Sequence, residues 1–351
     1  MKKRLPISAF HLPVAEIRSG YYSDSYFVRS KHILEKDNYN PQVIMQVFQR
    51  QSAILCGIDQ AVAILQSCSD NPEQLKIRAL FDGDRVSPWE TVLTIEGPLA
   101  NFVHLETVYL GVLSRQTKIA TNVDRVVSAA AGKPVLFFPS RFDHFSVQAE
   151  DGYAAKIGGV IGVSTPANAA YWGGDALGTI PHALIAAYSG NTLAATEAFD
   201  RHIDANVNRV ALVDFDNDCV RTALEVARKF GPRLYGVRLD TADTLVDQSV
   251  LPHMGSFKPT GVCACLVHNV RKALDENGFH HVKIMVSGGF TADKISAFEK
   301  EQVPVDVYAV GSSLFNENIN FTADLVVVDG RPCAKVGRAY RDNHRLQIVS
   351  Q

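Results

Sequence analysis

The sequence predicts an α/β protein, an irregular TIM-like α/β barrel with an additional α+β domain. Three observations carry this. Four apolar runs in the second half each end in small or charged residues: Arg209–Asp214 (RVALVD), Leu234–Asp240 (LYGVRLD), Val282–Gly289 (VKIMVSGG) and Val305–Ser313 (VDVYAVGSS). Continuous aliphatic runs of this length suit strands buried on both faces. Helix patterns follow most of them, and parallel neighbours require such crossovers. The first third has a different rhythm, so a second unit is expected.

In chain order, Gln42–Phe48 alternates like a strand, with Val43, Met45 and Val47 on one side. Gly57–Ser67 has a helical pattern. Leu75–Phe81 and Thr91–Glu96 read as strands joined by the turn-rich segment Asp82–Pro88. Leu105–Ala131 is a long helical pattern, expected to bend around Ser114–Thr117 and stopped by Gly132-Lys133-Pro134. From Val135 the rhythm becomes βα. Val135–Phe138 and Val160–Val163 are expected strands, with Ala149–Ile157 and Pro166–Trp172 as helices. Pro181–Tyr188 and Thr192–His202 follow as helices. The four runs come next, interleaved with the helices Val220–Phe230, Gly261–Asn277 and Ala292–Glu301. About seven or eight βα repeats, each needing about 30 residues, favour a barrel over an open sheet. Ala323–Val328 and Lys335–Ile348 read as strands around a turn at Asp329-Gly330. They have no place in a barrel and are expected to return to the first domain. The expected organisation is 1–130 (α+β with the linking helix), 131–322 (barrel) and 323–351 (returning strands).

The chain has 351 residues, 46% of them hydrophobic, enough for a substantial core in one large or two ordinary domains. A formal net charge of −2 gives no basis for nucleic-acid binding. The basic cluster Lys2–Arg4 is not followed by a long apolar run, so it does not read as a signal peptide. No stretch is long enough to span a bilayer. The six cysteines lack disulfide-framework or zinc spacing. Cys263 and Cys265 form a lone C-x-C in a helical pattern and read as structural thiols. A reduced, cytoplasmic compartment fits.

In parallel α/β folds reactive groups sit at the carboxyl ends of strands. Those ends here carry Asp214, Arg238, Asp240, Ser287, Gly288, Gly289, Gly311, Ser312 and Ser313, a set suited to a phosphorylated sugar. In Gly178–Leu184 (GTIPHAL), Pro181 fits a helix opening and His182 its first turn, where anions are favoured. Such a histidine suits accepting a phosphoryl group or touching a pyrophosphate. A packed or surface histidine is an equal alternative on residue types alone. Arg238 and Asp240 share one side of a strand end by period two. The arginine suits phosphate or carboxylate, and the aspartate suits ribose hydroxyls or Mg²⁺. A structural ion pair is the plainer alternative. Ser287-Gly288-Gly289 and Gly311-Ser312-Ser313 offer backbone N–H groups for close approach at successive strand ends. Phe138 suits stacking on a flat ring and Arg141 suits a carboxylate, although a core phenylalanine with a solvated arginine is the usual arrangement. Asp24-Ser25-Tyr26 reads as a loop leading into a strand.

Together these residues resemble the nicotinate phosphoribosyltransferase family, within the type II phosphoribosyltransferases. The ordered set is SDSYF (Ser23–Phe27), LETVYLGVLSRQTKIAT (Leu105–Thr121), FPSR (Phe138–Arg141), GTIPHAL, GVRLDTAD (Gly236–Asp243), VSGG (Val286–Gly289), VGSS (Val310–Ser313) and AKVGR (Ala334–Arg338). The resemblance implies an α/β barrel plus an α+β domain, in a head-to-tail homodimer with shared active sites, or a higher oligomer built from it. Tyr26 and Asp24 would enter the partner's site, and Tyr26 and Phe138 would sandwich the pyridine ring. Arg141 would bind near the ring substituent. Arg238 and Asp240 would hold phosphoribosyl pyrophosphate, and the VSGG and VGSS loops would hold ribose and its 5′-phosphate. His182 corresponds to the histidine that ATP phosphorylates, with Asp214 placed to orient it. Lys335 and Arg338 would add phosphate contacts. Mg²⁺ is expected mainly through the substrate pyrophosphate, with no protein-held metal and no zinc.

The implied reaction joins the nicotinate ring nitrogen to C1 of phosphoribosyl pyrophosphate, with ATP as co-substrate, in NAD biosynthesis or salvage. Two positions depart from the family pattern where the base is recognised. Phe138-Pro139-Ser140-Arg141-Phe142 stands where Phe-Gly-x-Arg-Arg is usual, and Ile161 stands where an acidic residue is frequent. Nicotinamide or quinolinate therefore remain alternatives, and quinolinate would want additional cations. A non-catalytic nucleotide-binding relative is a further alternative, although it has no need of His182. An unrelated sugar-phosphate barrel would leave the N-terminal motifs unexplained.

Overall fold

The computed structural model describes residues 3–174, 177–255 and 257–349; Lys2 of the basic terminus lies outside them. The chain divides into two units, residues 1–121 with 317–351, and residues 122–316. The division points lie at 121 and 316, where the sequence suggested 130 and 322. The first falls inside one continuous helix, which no sequence break marks.

The first unit opens with α1 (Val14–Arg18) and α2 (Ser25–Lys36). The expected loop into a strand at Asp24-Ser25-Tyr26 is instead the start of α2, with Asp24 at the N-cap position. Aspartate is a favoured N-cap residue, but the Asp24 side chain makes no capping bond here; its Oδ2 accepts from Tyr26 and Thr107 instead. Next come β1 (Gln42–Phe48), β2 (Ala53–Ile54), α3 (Ile58–Cys68), β3 (Lys76–Ala79), β4 (Arg85–Val86) and β5 (Thr91–Pro98). β2 and β4 form a small antiparallel ladder of their own. Val43, Val47, Leu65, Ile95 and Phe102 belong to one buried cluster that α3 closes from the side. α4 (Glu106–Ala129) is helical throughout, Ser114–Thr117 included. These hydroxyls serve other segments instead of competing for the helix backbone. Thr117 Oγ1 accepts from Cys56 N at 3.1 Å and donates to Cys56 O at 2.9 Å, and Ser114 Oγ accepts from Phe321 N at 3.3 Å.

The second unit holds β6 (Val135–Phe137), α5 (Gln148–Gly158), β7 (Gly162–Val163), α6 (His182–Ala187), α7 (Thr192–His202), β8 (Arg209–Leu212) and α8 (Cys219–Phe230). It continues with β9 (Leu234–Leu239), α9 (Ala264–Glu276), β10 (Lys283–Val286), α10 (Ala292–Lys300) and β11 (Val307–Val310). The expected helix Pro166–Trp172 is only a short 3₁₀ turn, Ala167–Ala169. All six strands are parallel, in the order β7-β6-β11-β10-β9-β8. Read as a ring, this is barrel order, with the last strand beside the first. The described residues leave β7 and β8 unpaired with each other, so the sheet is a curled, open half-barrel and not the closed barrel of seven or eight repeats. β7 is two residues long and, among the described residues, pairs with β6 alone. Leu136, Met285, Val307 and Ala309 form a buried cluster on one face, with Phe138 packed against it. Their neighbours Val135, Phe137, Tyr308 and Val310 are buried too, as expected for strands covered on both faces.

The chain then returns to the first unit. β12 (Thr322–Val328) lies antiparallel to β1 and turns through Asp329 (φ 47°) and Gly330 (φ 76°) into β13 (Arg331–Pro332). Two successive left-handed residues match the twist of a tight hairpin. The expected strand Lys335–Ile348 is mostly irregular. Only β14 (Gln347–Ile348) pairs, with β3, giving the sheet order β13-β12-β1-β5-β3-β14. The rest lacks alternating apolar residues and is held by side chains: buried Gln46 donates to Ala339 O at 2.9 Å and accepts from Arg341 N at 2.9 Å.

Candidate active site

The strand register brings the sequence-predicted residues to one rim. Leu212 stands opposite Arg238, Val286 opposite Leu239, and Val310 opposite Phe137. Because every strand is parallel, Asp214, Asp240, Ser287, Gly311 and Phe138 all emerge at carboxyl ends. His182 joins them from α6. Pro181 precedes it in extended conformation, which fixes where the helix begins. The His182 Nε2 lies 3.0 and 3.1 Å from the two Asp214 oxygens. The imidazole is 44% exposed and the Asp214 side chain 5%. Burial pushes the Asp214 carboxyl above its usual range; His182 opposes this, and the negative Asp240 adds to it.

Beside this pair, Arg238 is held at three points: Nε donates to Ser287 Oγ at 3.1 Å, one terminal nitrogen to Thr179 Oγ1 at 2.8 Å, and the other to Asp240 Oδ2 at 2.8 Å. Ser287 Oγ donates to Asp240 Oδ1 at 2.6 Å. The guanidinium is therefore fixed in plane with its remaining N–H groups available. Gly288 (φ 81°) and Gly289 (φ 68°) follow in left-handed conformation. A Cβ on Gly288 would stand 3.3 Å from Asp240 Oδ1, and one on Gly289 would meet nothing within 4 Å. The loop thus packs against the carboxylate at one glycine and opens at the next. Both glycines also line a cavity of about 580 Å³ with Lys258, Lys294 and the start of α9. In the neighbouring loop, Ser313 Oγ donates to Phe290 O at 2.7 Å, linking the VGSS and VSGG turns. Gly311 faces Phe142, which a Cβ would approach to 3.1 Å, and Ser312 begins a 3₁₀ turn.

Phe138 is half-buried, its backbone N–H bonded to Val310 O at 2.8 Å. Arg141 is exposed, with its guanidinium 5.2 Å above the Phe142 ring. Behind them Ser140 Oγ donates to Asn168 Oδ1 at 2.6 Å and meets Ser164 Oγ at 2.7 Å. Asn168 is fully buried and donates to Gln148 O at 2.7 Å. This hub joins the loops after β6 and β7. It, and Thr179, were not assigned roles from the sequence: uncharged residues far apart in the chain give no signal until folding joins them.

Four expected site residues belong to the other unit. Tyr26 is exposed, and its hydroxyl donates to Asp24 Oδ2 at 3.2 Å; Thr107 Oγ1 donates to the same oxygen at 2.9 Å. Arg338 pairs with Asp324 at 3.2 Å, and Lys335 is exposed. Among the described residues no three His, Cys, Asp or Glu side chains converge as a metal cage would. No described helix is long and apolar enough to cross a membrane.

Family models of the quinolinate phosphoribosyl transferase N-terminal and C-terminal domains match residues 24–117 and 119–320. The chain belongs to this family. Type II phosphoribosyltransferases are thus its context, with the quinolinate branch supplying the matching models. Its curated relatives carry a different substrate in their names. Nicotinate phosphoribosyltransferase pncB1 of Mycobacterium tuberculosis is 30% identical over 262 residues, 72% of this chain and 54% of that protein. Nicotinate phosphoribosyltransferase of Bacillus subtilis is 29% identical over 243 residues, 67% of this chain and 45% of that one. The chain spans about half the length of the curated relatives it matches. Among solved structures, nicotinate-nucleotide pyrophosphorylase from Pyrococcus furiosus superposes with a TM-score of 0.82 at 32% identity, covering 99% of this chain and 86% of that one. Human nicotinic acid phosphoribosyltransferase shares the fold, with a TM-score of 0.64 at 18% identity over 89% of this chain and 76% of that one.

Proposed function

We propose that this family member transfers the phosphoribosyl group of phosphoribosyl pyrophosphate to the ring nitrogen of nicotinate, with ATP hydrolysis coupled through His182. The observation that carries the reading is the exposed imidazole bonded through Nε2 to a buried carboxylate, beside the Arg238–Asp240–Ser287 network. With Asp214 ionised, Nε2–H donates to it, and the Nδ1 lone pair is left to accept a phosphoryl group. Atoms balance in the step: the Nδ1–P bond forms as the β–γ bridging P–O bond of ATP breaks, and hydrolysis later releases phosphate.

In the transfer itself, the ring nitrogen attacks C1 of the sugar and pyrophosphate departs. Positive charge grows on the ribose and negative charge on the leaving group. Asp240 faces the first, and Arg238 with the Gly288–Gly289 amides meets the second. Phe138 offers a stacking face, and Arg141 offers a planar partner for one ring carboxylate. The residues fit a Mg²⁺ that arrives on diphosphate oxygens, since Asp214 and Asp240 are already engaged by His182 and Arg238; the ion would offset the charge of the leaving group. We further propose a homodimer in which Asp24 and Tyr26 complete the partner's site.

Quinolinate is the second reading, favoured by the family models that match. Against it, the segment after β6 carries Arg141 as its one cation between Phe138 and Asp143, and exposed Phe142 follows it. A dianionic base calls for more positive charge. The deciding experiment supplies phosphoribosyl pyrophosphate and Mg²⁺ with each base, with and without ATP. Nicotinate mononucleotide from nicotinate, stimulated by ATP, is the expected product. Carbon dioxide release from quinolinate without ATP stimulation would replace this reading with the second.

A further inference from the structure

We propose that Trp89 and the arginines around it form a separate site for a small phosphate-type anion, built wholly from residues of the first unit. The guanidinium carbons of Arg50, Arg338 and Arg341 lie 5.2, 5.1 and 5.4 Å from the centre of the Trp89 ring. Phe48 stacks on the same indole at 5.3 Å and 24°. Arg338 has a carboxylate partner in Asp324. Among the described residues, the guanidinium groups of Arg50 and Arg341 have none. Glu90, next to Trp89 in the chain, is taken by Arg345 at 2.6 Å, and Asp342, next to Arg341, accepts from the Tyr340 hydroxyl.

Three guanidinium groups around one ring repel one another, and an aromatic face offsets only part of that. The fold nevertheless fixes them there. Buried Gln46 grips the segment at Ala339 and Arg341, and Thr91 Oγ1 donates to Arg341 O at 2.8 Å. Trp89 is held at φ 69°, a left-handed conformation unfavourable for a non-glycine residue, and its N–H is tied to Gln49 O at 2.7 Å. Strain maintained by surrounding bonds is characteristic of ligand clamps. A cavity of about 140 Å³ opens between Trp89, Arg338 and Arg341. Guanidinium groups gathered around an aromatic ring still carry N–H donors, and Arg50 and Arg341 can turn theirs to phosphate oxygens. Arg50 and Arg341, without carboxylate partners of their own among the described residues, suit an anion. Inorganic pyrophosphate is the probe of choice.

Trp89 is one of two tryptophans, so the full chain carrying Trp172→Phe reports on it alone. Titration with pyrophosphate at constant ionic strength is expected to change Trp89 emission saturably. Arg50→Gln with Arg341→Gln is expected to raise the half-saturating concentration at least tenfold, whereas Arg238→Ala leaves it unchanged. Arg50 is exposed, so Arg50→Gln alone provides a variant that folds, with a smaller shift expected. Calorimetry on the Arg238→Ala chain with both tryptophans present is expected to retain one pyrophosphate site. An unresponsive Trp89, a midpoint indifferent to Arg50 and Arg341, or an equal response to added chloride would overturn the proposal. Loss of the response in Arg238→Ala would assign it to the barrel rim instead.

Discussion

His182 and Asp214 meet at 3.0 Å across the rim of the half-barrel, one from the start of α6 and the other from beyond the end of β8. The carboxylate is buried and the imidazole open to solvent. In the proposed role, this arrangement leaves one ring nitrogen for an incoming phosphoryl group. Replacing His182 by Ala is expected to abolish ATP coupling while weak transfer survives. Asp214→Asn keeps the shape but loses the charge that fixes the tautomer, so coupled turnover should fall on the order of 100-fold or more. The ratio of ADP to mononucleotide formed checks both; wild-type coupling in either variant rejects the assignment.

Arg238 is the keystone of the second network. Its removal also leaves Asp240 and Ser287 without their cationic partner. Loss of one hydrogen-bonded partner of a charged group costs about 2 kcal/mol, so affinity for phosphoribosyl pyrophosphate in Arg238→Ala should drop about 30-fold. Calorimetry reads this directly, and unchanged binding contradicts the role given to the strand end.

At Gly288 the backbone is left-handed and the carboxylate of Asp240 stands close by. Gly288→Ala should therefore cost about 1–2 kcal/mol of stability and weaken sugar-phosphate binding together. Gly289→Ala meets no neighbour and should show the backbone cost with a smaller loss of binding. Denaturant titration and binding on the two variants separate these effects. Equal losses of binding would mean that the open side of the loop, and not its packing, decides.

A pH effect is expected from the first unit. Burial, with Asp324 and Asp24 nearby, pushes Glu106 up to about 7 from its ordinary 4.5. The folded chain thus holds a proton that the unfolded chain releases between about pH 4.5 and 7. Folding stability is favoured by this group at the acid end and declines as pH rises through that window. Glu106→Gln should remove the decline, so the variant should unfold at a higher temperature than the parent at pH 8 and differ little at pH 5. Parallel melting curves across that range would refute the shift.

The sequence marked the rim well because its signals are local. Each parallel strand announces itself as an apolar run, and its carboxyl end carries the polar residue that follows. His182, Asp214, Arg238, Asp240 and the two glycine–serine turns were therefore visible as separate motifs. Thr179, Ser140 and Asn168 were not visible in their roles. Their importance lies in bonds to partners far away in the chain, and uncharged side chains carry no pattern that reveals such partners.

Another reading failed where a tertiary bond overruled local preference. The tail was expected to form a strand from Lys335, but its path is set by Gln46 and Thr91.

The amino-acid order alone determined the alternation of strand and helix, the parallel sense of the second unit, and which residues would stand at strand ends. Periodicity and burial act over a few neighbouring positions, so a linear reading captures them. Only the tertiary structure decided that the sheet stays open between β7 and β8, that Arg238 is gripped at three points, and that three arginines gather on Trp89. Ladder closure, hydrogen-bond geometry and charge proximity depend on distances between segments remote in the chain, which the linear order does not contain.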